Sequence, residues 1–587
     1  MLPRMRSHPS KTAFTKATGR AHRRLAGLVR FGQHPTTGAD LWLKEDTLST
    51  HMQVIGGTKT GKTFFLEQLA RQLMALPQNR SVIVLDPHGS LYYRLMDYCV
   101  ARQQAERVIF FNPTASPIIG YNPVRRIGGA TPYYQAVMAL EACRKVWGDE
   151  AFDRTPRLNR WLYNSFMAML ESGYTMQEQL YMLNPLPDFD PQRRQILAHV
   201  SDEFVRSDWE WFLRQRDTIR EERTESSANR LKLFVNNGDI QNIVGRQARI
   251  LNLDNIVRQG KILLVNLAAH EGARLTPEHT SLLGTLLVND ILAACFRRPR
   301  REREANPAYL ILDEFQHFTT KDICVILNEG RKFGLHLILA HHHLGPIKER
   351  DPEVYYSVLT NATTKVVFGG ISEDDAATFA RQLFRFNLDE RKLELYSPYD
   401  RPQQEWVDII TENEGTAWHT GVASAITSGE AFRPDTGFFG DELVGTTQTK
   451  GEHQTSGESG NKGMSITRTP LTTYVHEERL SSVQFRQLDE QVRRAEEALM
   501  DQPTQYALLK VRGKPVTFFK VPTLKTLRVR DSQRQEYKDR IIESAACYAT
   551  LIDIHAERDD RRRQLGLTSP NALPAAEDKR YPDDEDY

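Results

Sequence analysis

The chain has 587 residues, of which 40% are hydrophobic and 26% are charged, a composition typical of a globular protein with about two to four domains. The formal net charge is only +2, so any nucleic-acid surface has to be local. The five cysteines form no CxxC pair, which argues against a zinc site or a disulfide scaffold, and no apolar run approaches the roughly 20 residues of a membrane helix. We therefore expect a reducing, cytoplasmic location and no membrane span.

Both ends of the chain are charged. Residues 1–30 form a basic arm without an acidic residue, and Asp583–Asp586 belong to an acidic tail. The arm suits contact with nucleic acid or with a membrane surface. A mitochondrial targeting peptide has a similar composition, but we favour it less.

The first folded segment is predicted to be α/β. Apolar strands are expected at His51–Ile55, Ser81–Leu85 and Arg107–Phe111, with helical stretches between them. This alternation predicts a mostly parallel sheet flanked by helices.

The turn after the first of these strands has the composition of a phosphate cradle. "GGTKTGKT" fits G-x-x-x-x-G-K-[ST] and opens a predicted helix, so backbone N–H groups and the helix N-terminus can bind the phosphates of ATP. Lys62 is expected to reach the outer phosphates, and Thr63 is expected to bind Mg²⁺. The predicted ATP-binding residues are Gly56, Gly57, Thr58, Lys59, Thr60, Gly61, Lys62 and Thr63.

The pattern becomes helical from 127 to 255, which predicts an inserted all-α domain with its tryptophans mainly in the core. Apolar strands then resume, so the P-loop domain, later called the motor domain, is expected to comprise 31–126, 256–432 and 464–525. The predicted later strands are Lys261–Leu267, Ala308–Leu312, His336–Ala340 and Lys365–Phe368.

The last third of the chain alternates between polar and structured segments. Residues 433–463 are predicted to form a disordered loop, because "GTTQTKGEHQTSGESGNKG" contains no apolar side chain. A helix at Ser482–Leu499 and a hairpin that turns near Gly513 are expected to follow. Residues 526–587 are assigned to a C-terminal helix, through about Asp531–Arg563, and the acidic tail.

The segment "AYLILDEFQHF" supplies the carboxylates that hydrolysis requires. Its strand ends at Asp313 and Glu314, which are predicted to act on Mg²⁺ and on the attacking water, respectively. An ordinary acidic turn is the alternative, which we favour less because a phosphate cradle is expected in the same sheet.

These motifs together resemble the FtsK/HerA superfamily of ring-shaped DNA-pumping ATPases, and within it the type IV coupling proteins of conjugation, the TraD/TraG-like group. The matching stretches include "HMQVIGGTKTGKT", "DPHGS", "YNP", "GKILLVNL", "LDEFQHF", "NEGRKFGLHLILAHHHLGPI" and "NATTKVVFGGISEDDAATFARQL". The resemblance implies a P-loop NTPase fold of the RecA-like (ASCE) kind, a homo-hexamer with ATP between subunits, and DNA in a central channel.

The same resemblance implies two further catalytic residues. The arginine of "GRKFG" corresponds to an arginine finger and falls on Arg331, although a cation at a helix end that Gly334 caps is the alternative. His342 stands where the family usually has a glutamine that senses the γ-phosphate. An imidazole can donate a hydrogen bond to phosphate, so we expect the role to survive with a pH dependence.

Several positions depart from the family pattern or have two interpretations. Lys59 occupies a position where the family loop commonly has glycine. Asp86 in "DPHGS" is expected either to assist the nucleotide site from a neighbouring strand or to stabilise a turn. Three consecutive histidines, 341–343, can suggest a metal site, but alternating strand side chains make this the less favoured interpretation. The transmembrane helices with which coupling proteins usually begin are not found in the sequence.

The sequence thus predicts an ATP- and Mg²⁺-dependent DNA translocase that contacts mainly the phosphate backbone. Expected partners are a relaxosome, a secretion channel or a nuclease. The acidic tail is expected either to recruit such a partner or to serve only as a solubilising sequence, and we favour neither. The expected location is cytoplasmic or peripheral at the inner membrane. Two alternatives remain: a HerA-like motor that works with a nuclease in DNA end processing or defence, and a protein-secretion or assembly ATPase of the same fold that does not grip DNA.

Overall fold

The computed structural model separates into two compact units, which we call the sheet unit (Ala13–Ser372 with Gln502–Tyr587) and the hairpin unit (Met1–Thr12 with Glu373–Asp501). Most of the basic arm and the acidic tail lie outside the described residues. The structure describes residues 14–15, 27–76, 80–103, 105–269, 274–301, 306–319, 321–384, 386, 391–413, 419–433, 442–457, 463–485, 487–525 and 527–567.

The sheet unit is built on a twelve-stranded sheet with the order β1-β3-β2-β17-β16-β11-β4-β10-β9-β5-β8-β6, and β7 pairs separately with β18. The strands of this unit are β1 (Phe14–Thr15), β2 (Leu28–Gln33), β3 (Asp40–Lys44), β4 (Met52–Ile55), β5 (Ser81–Asp86), β6 (Val108–Phe111), β7 (Ile118–Ile119), β8 (Ile262–Asn266), β9 (Ala308–Leu312), β10 (Leu335–His341), β11 (Thr364–Phe368), β16 (Tyr506–Lys510), β17 (Thr517–Lys520) and β18 (Tyr548–Ala549).

The helices of the sheet unit cover the sheet and form the segment between β7 and β8. The α-helices are Lys62–Ala75, Ser90–Arg102, Pro132–Trp147, Asp149–Asp153, Pro156–Ser172, Met176–Leu183, Asp190–Leu197, Glu203–Leu213, Asp217–Val235, Gly238–Val244, Leu253–Arg258, Pro277–Arg297, Lys321–Phe333, Gly345–Arg350, Pro352–Asn361, Asp531–Ser544 and Leu551–Gln564. Short 3₁₀ helices include Glu45–Thr50 and Phe315–His317.

Seven neighbouring strands, from β11 to β6, run parallel. Every residue of β4, β5, β8, β9, β10 and β11 is buried, as expected for parallel strands that helices cover on both faces. The strands on the other side of β11 are antiparallel and include the predicted hairpin β16–β17, with Gly513 in its turn.

The sheet topology confirms the predicted P-loop α/β fold class. Strand β10 lies between β4, which leads into the cradle, and β9, which leads into Asp313 and Glu314. One expectation about this order is wrong: β5, which ends at Asp86, is not the neighbour of the cradle strand, because β10 and β9 separate the two. Sequence periodicity identifies the seven parallel strands, but their order depends on crossovers that no local pattern records.

Within 127–255, which the structure describes without a gap, the regular elements are helices. Trp161, Trp209 and Phe212 pack edge to face in the core of this segment, with ring centroids 4.9–5.4 Å apart. These aromatic contacts stabilise the helical packing by about 0.5–1.5 kcal/mol per pair beyond burial of their area.

The C-terminal segment differs from the single helix that the sequence predicts. It forms two helices, because β18 interrupts the run and pairs with β7. The second helix packs on the all-α segment through Arg561, whose buried guanidinium bonds to Glu178 and to the carbonyl of Gly245. The helix is therefore an integral part of the sheet unit.

The hairpin unit contains helices Glu373–Leu383 and Leu488–Met500 and four antiparallel strands in the order β12-β15-β14-β13. Its strands are β12 (Arg391–Asn413), β13 (His419–Arg433), β14 (Glu442–Gly457) and β15 (Gly463–Phe485).

This unit changes three of the predicted boundaries. Residues 373–432 and 464–501 were expected in the motor domain but belong to the separate hairpin unit. The helix expected from Ser482 begins at Leu488, because β15 continues to Phe485. The predicted disordered loop, 433–463, contains strand β14. Backbone pairing with β13 does not require apolar residues along the whole of β14, so composition alone led to the wrong prediction there.

Among the described residues, helix Pro277–Arg297 is long and apolar enough to cross a membrane, with a mean hydropathy of 1.3 over an 18-residue window. No apolar run of this length was expected from the sequence. Since 78% of that window is buried inside the structure, the helix has the surroundings of a core helix.

Candidate nucleotide site

The candidate site forms at the carboxyl edge of the sheet. The cradle follows β4, Asp313 and Glu314 follow β9, and His342 follows β10. Parallel strands bring their carboxyl ends to one edge, and this edge is where α/β proteins bind ligands. The cradle therefore meets two segments that lie about 250–290 residues further along the chain.

The cradle loop packs closely on the turn after β11. A Cβ atom at Gly57 would lie 2.4 Å from the carbonyl oxygen of Gly370, and one at Gly56 would lie 2.5 Å from Cβ of Phe368. The N–H of Gly57 donates to Gly369 at 2.9 Å, and the Thr60 hydroxyl donates to the carbonyl of Gly57 at 2.8 Å. Glycine is thus required at 56 because the Phe368 side chain occupies the space of a Cβ atom, and at 57 because the Gly370 backbone does.

The loop leads into helix Lys62–Ala75 through Gly61, which has a φ of +116°. No side chain caps this helix at Gly61. The first-turn N–H groups are therefore available to phosphate oxygens, and the helix dipole favours an anion there. Thr63 is half-buried in the first turn, whereas Thr58 and Lys59 are exposed, and Lys59 adopts a φ of +63°. The departure from glycine at 59 thus costs backbone strain.

Lys62 and Glu314 form a buried ion pair between Nζ and Oε1. The two side chains are 4% and 2% exposed, respectively. Gln316 donates to the other carboxylate oxygen of Glu314 at 2.8 Å. Burial alone would raise the pKa of Glu314, but the Lys62 ammonium and these hydrogen bonds lower it below its usual value. Glu314 is therefore an ionised carboxylate at neutral pH.

His342 lies between the cradle and Glu314. Its Nδ1 is 2.8 Å from the carbonyl oxygen of Gly56, which only accepts, so Nδ1 carries the proton and donates. Its Nε2 is 3.1 Å from Oε1 of Glu314. Burial and the Lys62 ammonium lower the pKa of His342, so the neutral ring predominates at pH 7 and acid adds a proton to the atom that faces Glu314.

Asp313 lies beside this cluster and is 3% exposed. Burial raises the pKa of Asp313 to about 7. The Lys62 ammonium lowers this pKa, whereas the nearby carboxylates of Asp86 and Glu314 raise it. One oxygen accepts from the N–H of Glu314 at 3.2 Å. A divalent cation near Asp313 would favour its charged form.

Asp86 and His341 have structural partners. The carboxylate of Asp86 accepts from the N–H groups of His88 and Tyr92, both at 2.9 Å, which supports the turn interpretation of "DPHGS". His341 is fully buried, with Nε2 3.1 Å from Nε2 of Gln53. Within the described part of the chain, no group of three or more His, Cys, Asp or Glu residues is placed to hold a metal ion.

The backbone of Arg331 lies away from the cradle of its own chain. Helix Lys321–Phe333 leads into β10 at its amino end, while His342 follows the carboxyl end of β10. The seven residues of β10 span roughly 20 Å, which separates the two edges. The helix ends before Gly334, which has a φ of +61°. The structure thus does not bring Arg331 to Lys62 and Glu314 of the same chain.

Sequence reasoning missed a buried polar chain beneath the cradle. Lys365 donates to Gln53 at 3.0 Å and to the carbonyl of Leu359 at 2.9 Å, and Gln53 contacts His341. Burial lowers the pKa of Lys365 to about 7. These hydrogen-bonded side chains link β11, β4 and β10. A glutamine within the buried strand "MQVI" was the available signal, because a buried amide requires hydrogen-bond partners.

Comparison with known proteins places the cradle in a recognised domain. Residues 29–125 match the family described as "Helicase HerA, central domain". This segment of the chain is therefore similar to a HerA central domain. This match confirms the FtsK/HerA superfamily that the motifs predict.

Relatives of this protein include the type 4 coupling protein DotL of Legionella pneumophila, which is 22% identical over 397 residues. The match covers 58% of this chain and 50% of DotL, so the chain spans about half the length of this curated relative. Among solved structures, the bacterial conjugative coupling protein TrwBdeltaN70 is 11% identical with a TM-score of 0.48, and the match covers 88% of this chain and 96% of that one. VirB4 of Thermoanaerobacter pseudethanolicus is 14% identical with a TM-score of 0.39, with coverages of 60% and 87%.

Proposed function

We propose that this protein is an ATP-driven DNA translocase that works as a homo-hexamer and is most like the motor of a conjugative type IV coupling protein. The observation that supports this most is the meeting of Lys62, Glu314 and His342 at the cradle. A buried lysine, an ionised carboxylate and an imidazole have the chemistry to bind a nucleotide's phosphates and to activate water.

ATP hydrolysis in this proposal depends on an exchange of partners by Lys62. The ammonium leaves Glu314 for the outer phosphate oxygens, which supply the negative charge that a buried lysine requires. Glu314 is then free to accept a proton from the attacking water. Thr63 and Asp313 would hold Mg²⁺, directly or through water, and the metal would neutralise charge that develops on the phosphates.

His342 is placed to respond to this exchange, because its ring contacts both the cradle and Glu314. Its Nδ1–H reaches the cradle carbonyl of Gly56 while Nε2 faces Glu314. When Lys62 binds phosphate, the ring remains close enough to orient the carboxylate or to contact the γ-phosphate. This is the role proposed for it in place of the usual glutamine.

Arg331 is proposed to act in trans, on the nucleotide of a neighbouring subunit. Its backbone position at the opposite edge of the sheet supports this, because a residue there is not near its own cradle. Arg331→Ala should keep ATP binding and lose on the order of 10³-fold in turnover. Mixing this variant with Lys62→Ala chains should restore activity, because some interfaces then combine an intact cradle with an intact arginine.

The proposed substrate is DNA, gripped by its phosphates within the ring. Support comes from the HerA match and from the coupling-protein relative. The proposed partners are a relaxosome, a secretion channel or a nuclease. The proposed location is the cytoplasm, with peripheral contact to the inner membrane.

The deciding experiment measures ATP turnover with and without single- and double-stranded DNA over a range of salt concentrations. DNA should stimulate turnover, and its apparent affinity should fall steeply with salt because phosphate contacts release counterions. Glu314→Gln serves as the control for contaminating ATPases. Turnover that no DNA stimulates at low salt would contradict the proposal and favour a protein-secretion or assembly ATPase.

The HerA match also favours a second candidate, a motor that works with a nuclease in DNA end processing or defence. DNA stimulation is expected for both. Co-purification of the native protein with a nuclease rather than with secretion components would distinguish this candidate from the coupling protein.

A further inference from the structure

The helix that carries Arg331 is tied to the start of the cradle strand by one buried histidine. His51 immediately precedes β4 and is 3% exposed. Its Nδ1 accepts the N–H of Leu337 in β10 at 3.0 Å. The ring also lies near the backbone of Ile326, in helix Lys321–Phe333. Because Nδ1 accepts, the other ring nitrogen carries the proton, and it faces the helix at Gly330.

Helix Lys321–Phe333 has space for this ring at Gly330, the residue before Arg331. A Cβ atom at Gly330 would lie 2.6 Å from both Cε1 and Nε2 of His51. Glycine at 330 therefore lets the ring lie against the helix backbone. His51 itself has a φ of +57°, a conformation that a non-glycine residue keeps only where its surroundings stabilise it.

A second buried side chain holds the end of the same helix. Arg298, 1% exposed, donates to the carbonyl of Phe333 at 2.8 Å and to that of Gly334 at 3.1 Å. The carbonyl of Gly334 also accepts the N–H of Ala308 at 2.9 Å. The last turn of the helix is thus bound to β9 and to the guanidinium at once.

We infer that His51 and Gly330 are positioning residues for Arg331. Their contact fixes the position of the helix end, and therefore the position from which Arg331 reaches the nucleotide site of a neighbouring subunit. The inference rests on the proposed trans-acting role of Arg331. Since His51 immediately precedes the strand that leads into the cradle, the same contact joins the nucleotide site of a subunit to the arginine that this subunit provides to its neighbour.

Gly330→Ala tests the inference, because the added methyl displaces either the ring or the helix. ATP turnover should fall at least tenfold, since a misplacement of about 1 Å can cost 10²-fold, while KM and nucleotide affinity stay within about twofold of wild type. Mixing Gly330→Ala with Lys62→Ala chains should restore turnover, because the Lys62→Ala chains supply an undisturbed helix. Should Gly330→Ala not fold, His51→Asn, which keeps an acceptor for Leu337 but not the reach to Ile326, is measured in the same way.

Gly284→Ala is the matched control. Gly284 is also a helical glycine in close contact, its added Cβ lying 2.3 Å from the Phe318 ring, but it lies far along the chain from Arg331. Any loss of turnover that it causes should not be restored by Lys62→Ala chains. Recovery in this control as well would overturn the inference.

The mixture of Arg331→Ala with Lys62→Ala distinguishes a failure of the positioning role from a failure of the proposed trans role of Arg331. If that mixture recovers and the Gly330→Ala mixture does not, the positioning role fails while the proposed function stands. If neither recovers although differently tagged chains co-purify in mixed rings, the trans role of Arg331 fails, and the inference fails with it. Wild-type turnover by Gly330→Ala alone also overturns the inference.

Discussion

The two edges of the parallel sheet hold their buried polar groups in different ways. At the carboxyl edge, Lys62 pairs with Glu314, and Nε2 of His342 faces the same carboxylate. At the amino edge, His51 and Arg298 bond to backbone N–H and carbonyl groups. Side-chain pairs can exchange partners when a charged ligand binds, whereas bonds to the backbone of strands and helices change only if those elements move. In the proposed function, side chains at the carboxyl edge therefore take part in hydrolysis, and side chains at the amino edge hold helices and strands in place.

The energetics of burial support this contrast. Breaking a buried ion pair by removing one partner costs about 3–5 kcal/mol, so Lys62 leaves Glu314 only for another anion. At the amino edge the neutral His51 carries no such requirement, because burial lowers its pKa to about 4. Substitutions at the carboxyl edge should therefore affect the chemical step most, and those at the amino edge should affect position and stability.

The largest expected effect is that of Glu314→Gln, which should lower ATP turnover by about 10²–10⁴-fold because the water loses its base. Nucleotide binding should persist. Lys62→Ala should also remove turnover, through loss of the charge that binds the outer phosphates. Steady-state ATPase assays and binding of a non-hydrolysable analogue measure the two effects. The exposed Glu349→Gln is the control, and near-wild-type turnover of Glu314→Gln would show that the catalytic assignment is wrong.

A cradle glycine should show the next largest effect. Gly57→Ala places a Cβ atom 2.4 Å from the Gly370 carbonyl, so the loop has to shift, and we expect a loss of about 10²-fold in kcat/KM. Gly128→Ala, where nothing lies within 4 Å, should be neutral. Equal activity of the two variants would contradict the close packing of the loop.

His342 should give the carboxyl edge a pH dependence. Protonation of Nε2 adds a cation beside Glu314 that holds the carboxylate. Because burial lowers the pKa of His342, turnover should fall only as pH decreases below the ordinary histidine range. His342→Gln should stay within about tenfold of wild type at pH 7.5 and lose the part of the acid limb that His342 contributes. Rate profiles from pH 5.5 to 8 of wild type and variant decide this, and superimposable profiles would rule out His342 as the titrating group.

The smallest expected effect concerns stability at the amino edge. The pKa of His51 is lowered to about 4, so between pH 6.5 and 4 the unfolded chain binds the proton that the folded chain does not. The contribution of His51 to the free energy of unfolding should therefore decrease with falling pH by up to about 1.4 kcal/mol per unit. His336 and His341, with pKa values lowered to about 3, add to the same slope.

Denaturant unfolding at pH 4.5, 5.5 and 6.5 measures this slope. His51→Asn should reduce the slope of the unfolding free energy with pH by the equivalent of about one bound proton. Replacement of the exposed His199 by Asn should leave the slope unchanged. The same slope in His51→Asn as in wild type would mean that His51 is not buried as a neutral ring.

The amino-acid sequence by itself determined the local elements of the sheet unit. The strand predicted at Ala308–Leu312 has the same bounds in the structure, and the cradle lies between a strand and a helix as its motif requires. These features follow from apolar runs, glycines and one lysine within short windows, so local patterns suffice to find them. The roles of Arg331 and His342 remain predictions that came from family resemblance.

Only the tertiary structure decided which elements meet. The place of β10 between β4 and β9, the pairing of Lys62 with Glu314 and the contact of His51 with Gly330 join residues roughly 250–290 positions apart. The same holds for β14, a strand whose polar sequence indicated a loop until its pairing with β13 was known. Such contacts depend on crossovers and on hydrogen-bond partners elsewhere in the chain, and no window of local sequence contains that information.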